Sequence, residues 1–228
     1  MALQVGVILS GCGHRDGAEI REAVLTLLAI DRAGAQARVF APDVPQARVF
    51  DHYHGKDVPG ERRNVLVEAA RIARGDIRPL SEAKAADLDA LVMPGGFGAA
   101  LNLSTFATKG ADCDVLPEVA SLLRAMHAAR KPIGAICIAP AVVAKALGAA
   151  HPRLTIGDDA GTAKAVEACG AVHEACPVDR HVVDRANKVV TTPAYMYDAS
   201  LSGVAAGIER CVADVLAMAT PAAGGPRR

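Results

Sequence analysis

The sequence predicts an α/β protein with a mostly parallel central sheet, and two patterns in its 228 residues support that class. Short apolar runs typical of buried strands alternate with longer helix-like runs from end to end, which is typical of parallel α/β packing. Several of the strand-like runs end in turns that contain glycine or cysteine, at the edge where such folds bind ligands. The length suits one domain, which we place at residues 1–218, and the composition of residues 219–228 predicts a disordered tail.

Strands are predicted from short apolar runs bounded by glycine, proline or polar residues, and helices from longer amphipathic runs. The strands cover residues 3–9, 36–41, 88–93, 133–136, 171–173, 182–183 and 189–192. The helices cover residues 16–33, 65–74, 116–129, 139–147, 160–169 and 198–218. The first helix is expected to begin at Asp16, because Asp16 and Glu19 have the spacing of an N-cap and its capping-box partner. Residues 99–115 are expected to form a long loop.

Composition and charge argue against several classes of function. The chain has 25 basic and 25 acidic side chains, so it carries no electrostatic footprint for nucleic acid or an anionic membrane. Aromatic residues make up 3% of the chain and tryptophan is absent, which leaves few surfaces for base stacking. No apolar stretch reaches the roughly 20 residues that a membrane-spanning helix needs. We therefore expect no nucleic-acid or membrane partner, and we read the apolar run at 5–9 as a strand rather than a signal peptide.

The cysteines are scattered, without a C-x-x-C pair or a spacing typical of a disulfide or zinc framework. They are Cys12, Cys113, Cys137, Cys169, Cys176 and Cys211. Unpaired cysteines are typical of a reducing compartment, so we expect a cytoplasmic protein.

Residues 131–148, K-P-I-G-A-I-C-I-A-P-A-V-V-A-K-A-L-G, place Cys137 on a bend between a strand and a helix. Such a bend is a nucleophile elbow, which holds a side chain clear of the backbone at the carboxyl edge of the sheet. The helix that follows points its N-terminus at Cys137, so its dipole is expected to favour the thiolate. The alternative is a buried strand cysteine that packs as a small hydrophobe.

Residues 94–98, P-G-G-F-G, follow a predicted strand and would allow main-chain N–H groups to approach a ligand closely. If this strand neighbours the one before Cys137, the N–H groups of Gly96 and Ile138 could form an oxyanion hole. The alternative is an ordinary tight turn. The candidates for further pocket residues are Cys12, Gly95, Phe97 and Asn102.

Glu22 is the candidate acid–base group, because Glu19 already has a capping role and Glu22 has none. Helical spacing puts two stripes on this helix. The stripe expected to face the sheet contains Ile20, Val24, Leu27 and Ile30 or Asp31. The other stripe contains Ala18, Glu22, Leu25, Ala29 and Ala33, and its small apolar residues predict cover by a partner subunit or an inserted segment. A carboxyl group there would have a raised pKa, whereas the alternative is a solvated glutamate.

Histidines give weaker signals. The segment at 51–57, D-H-Y-H-G-K-D, contains an H-x-H pair but no third ligand at a known distance, so no metal is predicted. His14 lies in the turn after the first strand and could carry a proton, although a loop histidine is usually only solvated.

Four separated motifs occur in order and together resemble a known family. They read V-I-L-S-G-C-G-x-x-D-G-x-E-I-x-E-A, M-P-G-G-F-G-A-A-x-N-L-S-T-F-A-x-K-G-A-D-C, K-P-I-G-A-I-C-I-A-P and N-K-V-V-T-T-P-A-Y-M. The chain resembles the ElbB-type branch of the ThiJ/PfpI superfamily over nearly its whole length. The resemblance implies a flavodoxin-like, doubly wound fold similar to class I glutamine amidotransferases. It also implies a glutathione-independent glyoxalase, a lyase without cofactor, linked to isoprenoid biosynthesis.

The resemblance also implies roles for individual residues. The superfamily's nucleophilic cysteine matches Cys137, its glutamate matches Glu22, and its oxyanion donors fall on Gly96 and Ile138. Protease-like members have a histidine after the cysteine, where this chain has Ile138, which argues against peptidase chemistry. The late region T-T-P-A-Y-M-Y-D lacks the His-x-Glu of true glutamine amidotransferases, which argues against glutamine hydrolysis. The candidates for any third catalytic group are His14, His173 and His181.

The predicted reaction converts glyoxal or methylglyoxal to a 2-hydroxy acid through a hemithioacetal on Cys137, with Glu22 moving the proton. A second hypothesis is a redox-sensing or binding module that uses an oxidisable, low-pKa Cys137. A third is a dimeric accessory of another enzyme. A small aldehyde is the expected substrate, and the small-residue stripe of the first helix predicts a homodimer.

Overall fold

A computed structural model describes residues 2–220, which form a seven-stranded sheet with helices on both faces. The strands are β1 Gln4–Ile8, β2 Gln36–Ala41, β3 Phe50–Asp51, β4 Lys56–Asp57, β5 Arg78–Pro79, β6 Ala90–Met93, β7 Ile133–Ile136, β8 Arg153–Leu154, β9 Val172–His173, β10 Val182–Asp184 and β11 Val189–Thr192. The helices are α1 Ile20–Arg32, α2 Val65–Ile72, α3 Phe97–Leu101, α4 Phe106–Lys109, α5 Pro117–Ala128, α6 Ala139–Leu147, α7 Ala160–Ala168 and α8 Leu201–Ala219. The part of the predicted tail from 221 to 228 lies outside the described residues.

The sheet order is β10-β11-β7-β6-β1-β2-β5, and every neighbouring pair is parallel except β10 with β11. The chain moves outward from β1 through β2 to β5 and then returns to β6 on the other side of β1. Doubly wound sheets bind ligands beyond the carboxyl ends of the strands, at the place where the order reverses. The predicted flavodoxin-like α/β class is confirmed, and its functional edge lies after β1, β6 and β7.

Two apolar cores cover the faces of this sheet. One joins α1, α2 and α8 to the sheet through residues such as Val7, Ile30 and Val212. The other joins α5 and α6 to the opposite face through residues such as Leu91 and Leu123. None of the helices in the described range is long and apolar enough to cross a membrane.

The first helix differs from its prediction in where it begins. It begins at Ile20 rather than Asp16, because the side chain of Glu19 accepts a hydrogen bond from the Glu22 N–H and so acts as N-cap. Asp16 is held elsewhere, since its Oδ2 accepts from the Phe50 N–H at 2.9 Å. Glu19 therefore has the structural role that was expected, as the cap itself rather than as the partner of the cap.

The face of the first helix that is buried differs from the predicted one, although Ile30 of the predicted stripe is buried as expected. Its buried residues are Glu22, Ala23, Thr26, Ala29 and Ile30, whereas Ile20, Val24 and Leu28 are 38% to 48% exposed. The small side chains on the inner face allow α1 to pack closely against the sheet and α8. Much of the stripe that predicted a partner subunit is thus covered by the chain itself.

The expected loop at 99–115 is also partly wrong. It contains the end of α3, all of α4 and a short 3-10 helix at Gly110–Asp112. These turns bury Ala99, Ala100 and Phe106. Packing of short helical turns against α6 and α7 is a tertiary effect that local pattern does not reveal.

Candidate active site

Cys137 lies between the end of β7 and the start of α6, as the predicted elbow requires. Its φ is +62°, a left-handed backbone conformation that is uncommon for a residue with a side chain and that recurs at functional sites. The Cys137 N–H donates to the Thr192 carbonyl of β11 at 2.9 Å, which fixes the bend from the neighbouring strand. The residue is 7% exposed.

The glycine loop after β6 lies beside this elbow, because β6 and β7 are adjacent parallel strands. The main-chain N–H groups of Gly96 and Ile138 lie near the Cys137 sulfur, where both act to lower the pKa of the thiol. Gly96 has a φ of +93°, and a Cβ there would lie 2.3 Å from the Glu19 nitrogen. The two expected oxyanion donors thus converge on the reactive atom, at a position that accepts only glycine.

Glu22 reaches the same sulfur from α1 and is fully buried. Its Oε2 accepts from the Gly95 N–H at 3.0 Å, and its Oε1 accepts from the Tyr195 N–H at 3.2 Å. Its carboxyl group also lies close to the Cys137 thiol, and each group shifts the pKa of the other. A Cβ at Gly95 would lie 2.4 Å from the Cys137 Cβ and 2.8 Å from Glu22 Oε2, so the acid and the thiol meet across a residue without a side chain.

Burial dominates the electrostatics of this pair. Burial, followed by the charge of Glu19, raises the pKa of Glu22 to about 8, although hydrogen bonds from Tyr195 and Gly95 act against the shift. Burial and then the charge of Glu22 also raise the pKa of Cys137 well above its usual range. The low thiol pKa expected from the helix N-terminus is therefore wrong, because desolvation outweighs the N–H donors of Gly96 and Ile138.

The two groups titrate as a pair that shares a site. When Glu22 holds its proton, its charge no longer opposes ionisation of Cys137, and its O–H can donate to the sulfur. The site thus contains an acid that keeps a proton near neutral pH, in direct contact with a potential nucleophile.

A cavity of about 1020 Å³ adjoins the pair and includes Cys137, Gly96 and Ile138 in its wall. Its other residues are mainly apolar or aromatic and include Ile20, Phe97, Phe106, Tyr195 and Met196. The polar residues of the wall include Glu19, Arg21 and His14. A mostly apolar cavity with a few convergent polar groups is typical of a small-molecule site.

Not all of the residues predicted to line the pocket do so. Phe97 lines the cavity, whereas Cys12, Gly95 and Asn102 do not. Gly95 acts through its N–H on Glu22. Asn102 is buried and structural, because its Nδ2 donates to the carbonyls of Ser10 and Asp16 while its Oδ1 accepts from the Ala47 N–H. Cys12 lies instead near the charges of Glu68 and Arg71 on α2.

His14 is the histidine candidate that lines the cavity. Burial and then the neighbouring His52 lower its pKa, which favours the neutral imidazole. His181 instead contacts Asp214 at 2.6 Å, and neither His181 nor His173 lines the cavity. Within residues 2–220, the H-x-H segment gathers no group of three potential metal ligands.

Tyr195 is a site residue that the sequence reasoning missed. It follows β11, the strand that pairs with β7, and it donates its N–H to Glu22 while Arg21 donates to its hydroxyl at 3.2 Å. The preceding Ala194 has a φ of +44°, so the turn is held in a strained conformation. The available signal was the motif T-T-P-A-Y-M, which comes directly after a strand at the functional edge of the sheet.

An elbow cysteine, a glycine loop and a buried carboxyl at the edge of a flavodoxin-like sheet define a protein of the class I glutamine amidotransferase-like fold. The chain belongs to the DJ-1/PfpI family, whose model matches residues 14–199.

Individual relatives cover most of the chain. It is 49% identical over 224 residues to human glutamine amidotransferase-like class 1 domain-containing protein 3, mitochondrial, covering 94% of this chain and 83% of that protein. It is 33% identical over 208 residues to the mitochondrial ES1 protein of Danio rerio, covering 85% of this chain and 77% of the relative. A crystal structure of an isoprenoid biosynthesis protein with amidotransferase-like domain from Ehrlichia chaffeensis superposes with a TM-score of 0.88 at 40% identity, covering 94% of this chain and 99% of that one.

These relatives correct the expected cytoplasmic location. The human and zebrafish proteins, together with a rat homologue at 48% identity, are named mitochondrial proteins. All six cysteines are free, as a reducing compartment requires, but reducing conditions do not single out the cytoplasm. The inference from cysteine usage to location was therefore too narrow.

Proposed function

We propose that the protein is a glutathione-independent glyoxalase that converts glyoxal or methylglyoxal to the 2-hydroxy acid. The observation that carries the proposal is the buried Cys137–Glu22 pair, with two N–H donors at the sulfur and an adjoining cavity. The small aldehyde is the proposed substrate, and the chain's own groups supply the chemistry. The name of the Ehrlichia relative supports the implied link to isoprenoid biosynthesis.

The reacting form of the pair holds a single proton, on Glu22, because the Cys137 thiol first loses its own proton to solvent. In the first step, the Cys137 sulfur attacks the aldehyde carbon and forms a hemithioacetal. The carbonyl oxygen gains negative charge, and Gly96 and Ile138 can stabilise it because their N–H groups already point at the sulfur. Protonated Glu22 then gives its proton to this oxygen, which leaves a carboxylate beside the C–H bond of the former aldehyde carbon.

In the second step, the Glu22 carboxylate takes the proton of that C–H bond and delivers it to the neighbouring carbonyl, through an enediol. Glu22 then takes the proton of the hydroxyl on the sulfur-bearing carbon and delivers it to the adjacent carbon, which gives a 2-hydroxy thioester on Cys137. Water hydrolyses the thioester and releases lactate from methylglyoxal or glycolate from glyoxal. The raised pKa of Glu22 suits this role, because a general acid–base group works best with a pKa near the working pH.

The test is turnover of methylglyoxal by the purified chain without glutathione, with lactate identified by proton NMR. Cys137→Ala is expected to remove the activity. Cys211→Ala is the matched control, because Cys211 is also buried but lies on α8 outside the cavity. Equal rates for wild type and Cys137→Ala would refute the proposal.

A second candidate function is redox sensing through Cys137. The observation that favours it is the set of polar groups around the Cys137 sulfur, Glu22 and the N–H groups of Gly96 and Ile138, which could also hold the oxygens of a cysteine sulfinic acid. Mass spectrometry after mild peroxide treatment distinguishes the two. Selective oxidation of Cys137 without aldehyde turnover would support the sensor and contradict the glyoxalase.

The homodimer remains a proposal, now on different grounds. The exposed face of α1, formed by Ile20, Val24 and Leu28, offers an apolar surface to a second copy, and Ile20 also lies at the cavity. We expect light scattering to give the mass of two chains for the wild type and of one chain for Val24→Glu. One chain in the wild type would contradict the proposal.

A further inference from the structure

Cys113 and Cys169 are far apart in sequence but meet in the fold. Cys113 follows α4 and its 3-10 turn, and Cys169 is the C-cap of α7. The Cys169 sulfur lies 3.8 Å from the carbonyl of Ala111, two residues before Cys113, and each thiol shifts the pKa of the other. Cys113 belongs to a small apolar core that Cys169 packs against, so both sulfurs are positioned by the same cluster.

A charged group and a carbonyl complete this cluster. The Ala111 carbonyl accepts from Lys145 Nζ at 2.8 Å and from the Cys169 thiol at 3.8 Å. Burial raises the pKa of both thiols, and the Lys145 ammonium acts against that shift. Cys113 is buried whereas Cys169 is partly exposed, so a small oxidant from solvent would meet Cys169 first.

We infer that Cys113 and Cys169 form a reversible disulfide when the protein meets a peroxide. In the first step, the Cys169 sulfur attacks one peroxide oxygen and the O–O bond breaks. Cys169 becomes a sulfenic acid, and one molecule of water is released. In the second, the Cys113 sulfur attacks the Cys169 sulfur and releases a second water. Two thiols thus lose two electrons and two protons to the peroxide, and thiol exchange with a reductant restores them.

The crosslink would join two walls of the cavity. The segment ending at Cys113 contributes Phe106 and Ala107 to the lining, and the helix ending at Cys169 contributes Thr162. Oxidation would restrain the separation of these walls without touching Cys137. The inference is independent of the aldehyde reaction, because it concerns a different pair of thiols.

The experiment treats the full-length protein with hydrogen peroxide, blocks remaining thiols with N-ethylmaleimide and maps tryptic peptides by mass spectrometry. Cleavage after lysine and arginine gives peptide 110–124 with Cys113 and peptide 165–180 with both Cys169 and Cys176. The matched variants are therefore Cys169→Ser and Cys176→Ser. We expect the linked peptides in wild type and Cys176→Ser, their loss in Cys169→Ser, and their loss on reduction.

Oxidation is also expected to raise the Tm of the wild type by roughly 5 to 10 °C, because the disulfide closes a long loop. The Tm of Cys169→Ser should not rise. Two outcomes would overturn the inference. One is that Cys113 and Cys169 remain unlinked at a peroxide dose that oxidises the partly exposed Cys12. The other is a link that survives in Cys169→Ser and disappears in Cys176→Ser.

Discussion

Cys137 and Cys211 are both buried thiols, yet their surroundings differ in every respect that matters for chemistry. Cys211 lies within α8, and its thiol donates only to the Val190 carbonyl at 3.6 Å. Burial raises its pKa above the usual range, followed by the charges of Asp214 and Cys176. Cys137 has the same burial but faces a carboxyl group and two N–H donors. Burial alone makes a thiol inert, whereas burial beside these groups makes it a candidate nucleophile.

The largest expected effect comes from removing the carboxyl group that distinguishes the two cysteines. Glu22→Gln should lower kcat for methylglyoxal by about 10²–10⁴-fold, the range typical of a lost acid–base group. Glu118→Gln on α5 makes the same chemical change away from the cavity and should leave turnover unchanged. Steady-state kinetics would check both variants. An unchanged kcat in Glu22→Gln would mean that the carboxyl group does not distinguish Cys137 from Cys211, and would contradict the proposal.

The pH dependence of stability tests the same difference between the surroundings of Cys137 and Cys211. The pKa of Glu22 is raised from 4.5 to about 8 in the folded state, so the folded chain binds its proton more tightly than the unfolded chain does. The stabilisation is fully present below the unfolded pKa and is lost as pH rises towards about 8. We expect a loss on the order of a few kcal/mol between these limits.

Urea unfolding at a series of pH values would measure this loss. Glu22→Gln should have a flatter profile, whatever its absolute stability, whereas Cys211→Ala should keep the wild-type slope. Parallel slopes for wild type and Glu22→Gln would contradict the raised pKa.

A side chain at position 95 would separate the members of the reactive pair. Gly95→Ala places a methyl group against Cys137 and Glu22, and we expect a loss of about 1–3 kcal/mol in stability together with reduced turnover. Gly161→Ala in α7 is the control, since its Cβ would meet only Asp159 Oδ1 at 3.5 Å. Control stability should be unchanged or slightly higher. Thermal unfolding that is equal in the two variants would count against the close approach.

The smallest effect is expected at Cys211. Cys211→Ala removes one weak hydrogen bond and a small buried volume, so the free energy of unfolding should fall by about 1 kcal/mol. Aldehyde turnover should remain at the wild-type level because α8 contributes no residue to the cavity. A large loss of activity would mean that packing, rather than the groups around the sulfur, separates the two cysteines.

The sequence predicted the fold class and the position of the elbow, because strand-to-helix punctuation around Cys137 is local information. It also singled out Glu22 once Glu19 was recognised as a capping residue. It failed for the orientation of α1, where hydrophobicity favoured Ile20 and Val24 as the inner face. The buried face contains Glu22, which accepts hydrogen bonds from Gly95 and Tyr195, and these partners are distant in the chain.

The direction of the Cys137 pKa shift also could not be predicted from the sequence. A helix N-terminus is visible in the pattern of residues, but the extent of desolvation depends on all the neighbours that exclude water. Likewise, the turn containing Tyr195 could be placed at the sheet edge, yet no local pattern shows that its N–H reaches a glutamate on α1.

The contact between Tyr195 and Glu22 spans 173 positions of the chain. During synthesis, β1, α1, β6 and β7 all leave the ribosome before the residue that completes the carboxyl's hydrogen bonding. The nascent protein therefore carries Cys137 and Glu22 for some time without their final partner. The Cys137 N–H and the Glu22 carboxyl group therefore receive their last main-chain partners only when β11 and the turn after it pack against β7.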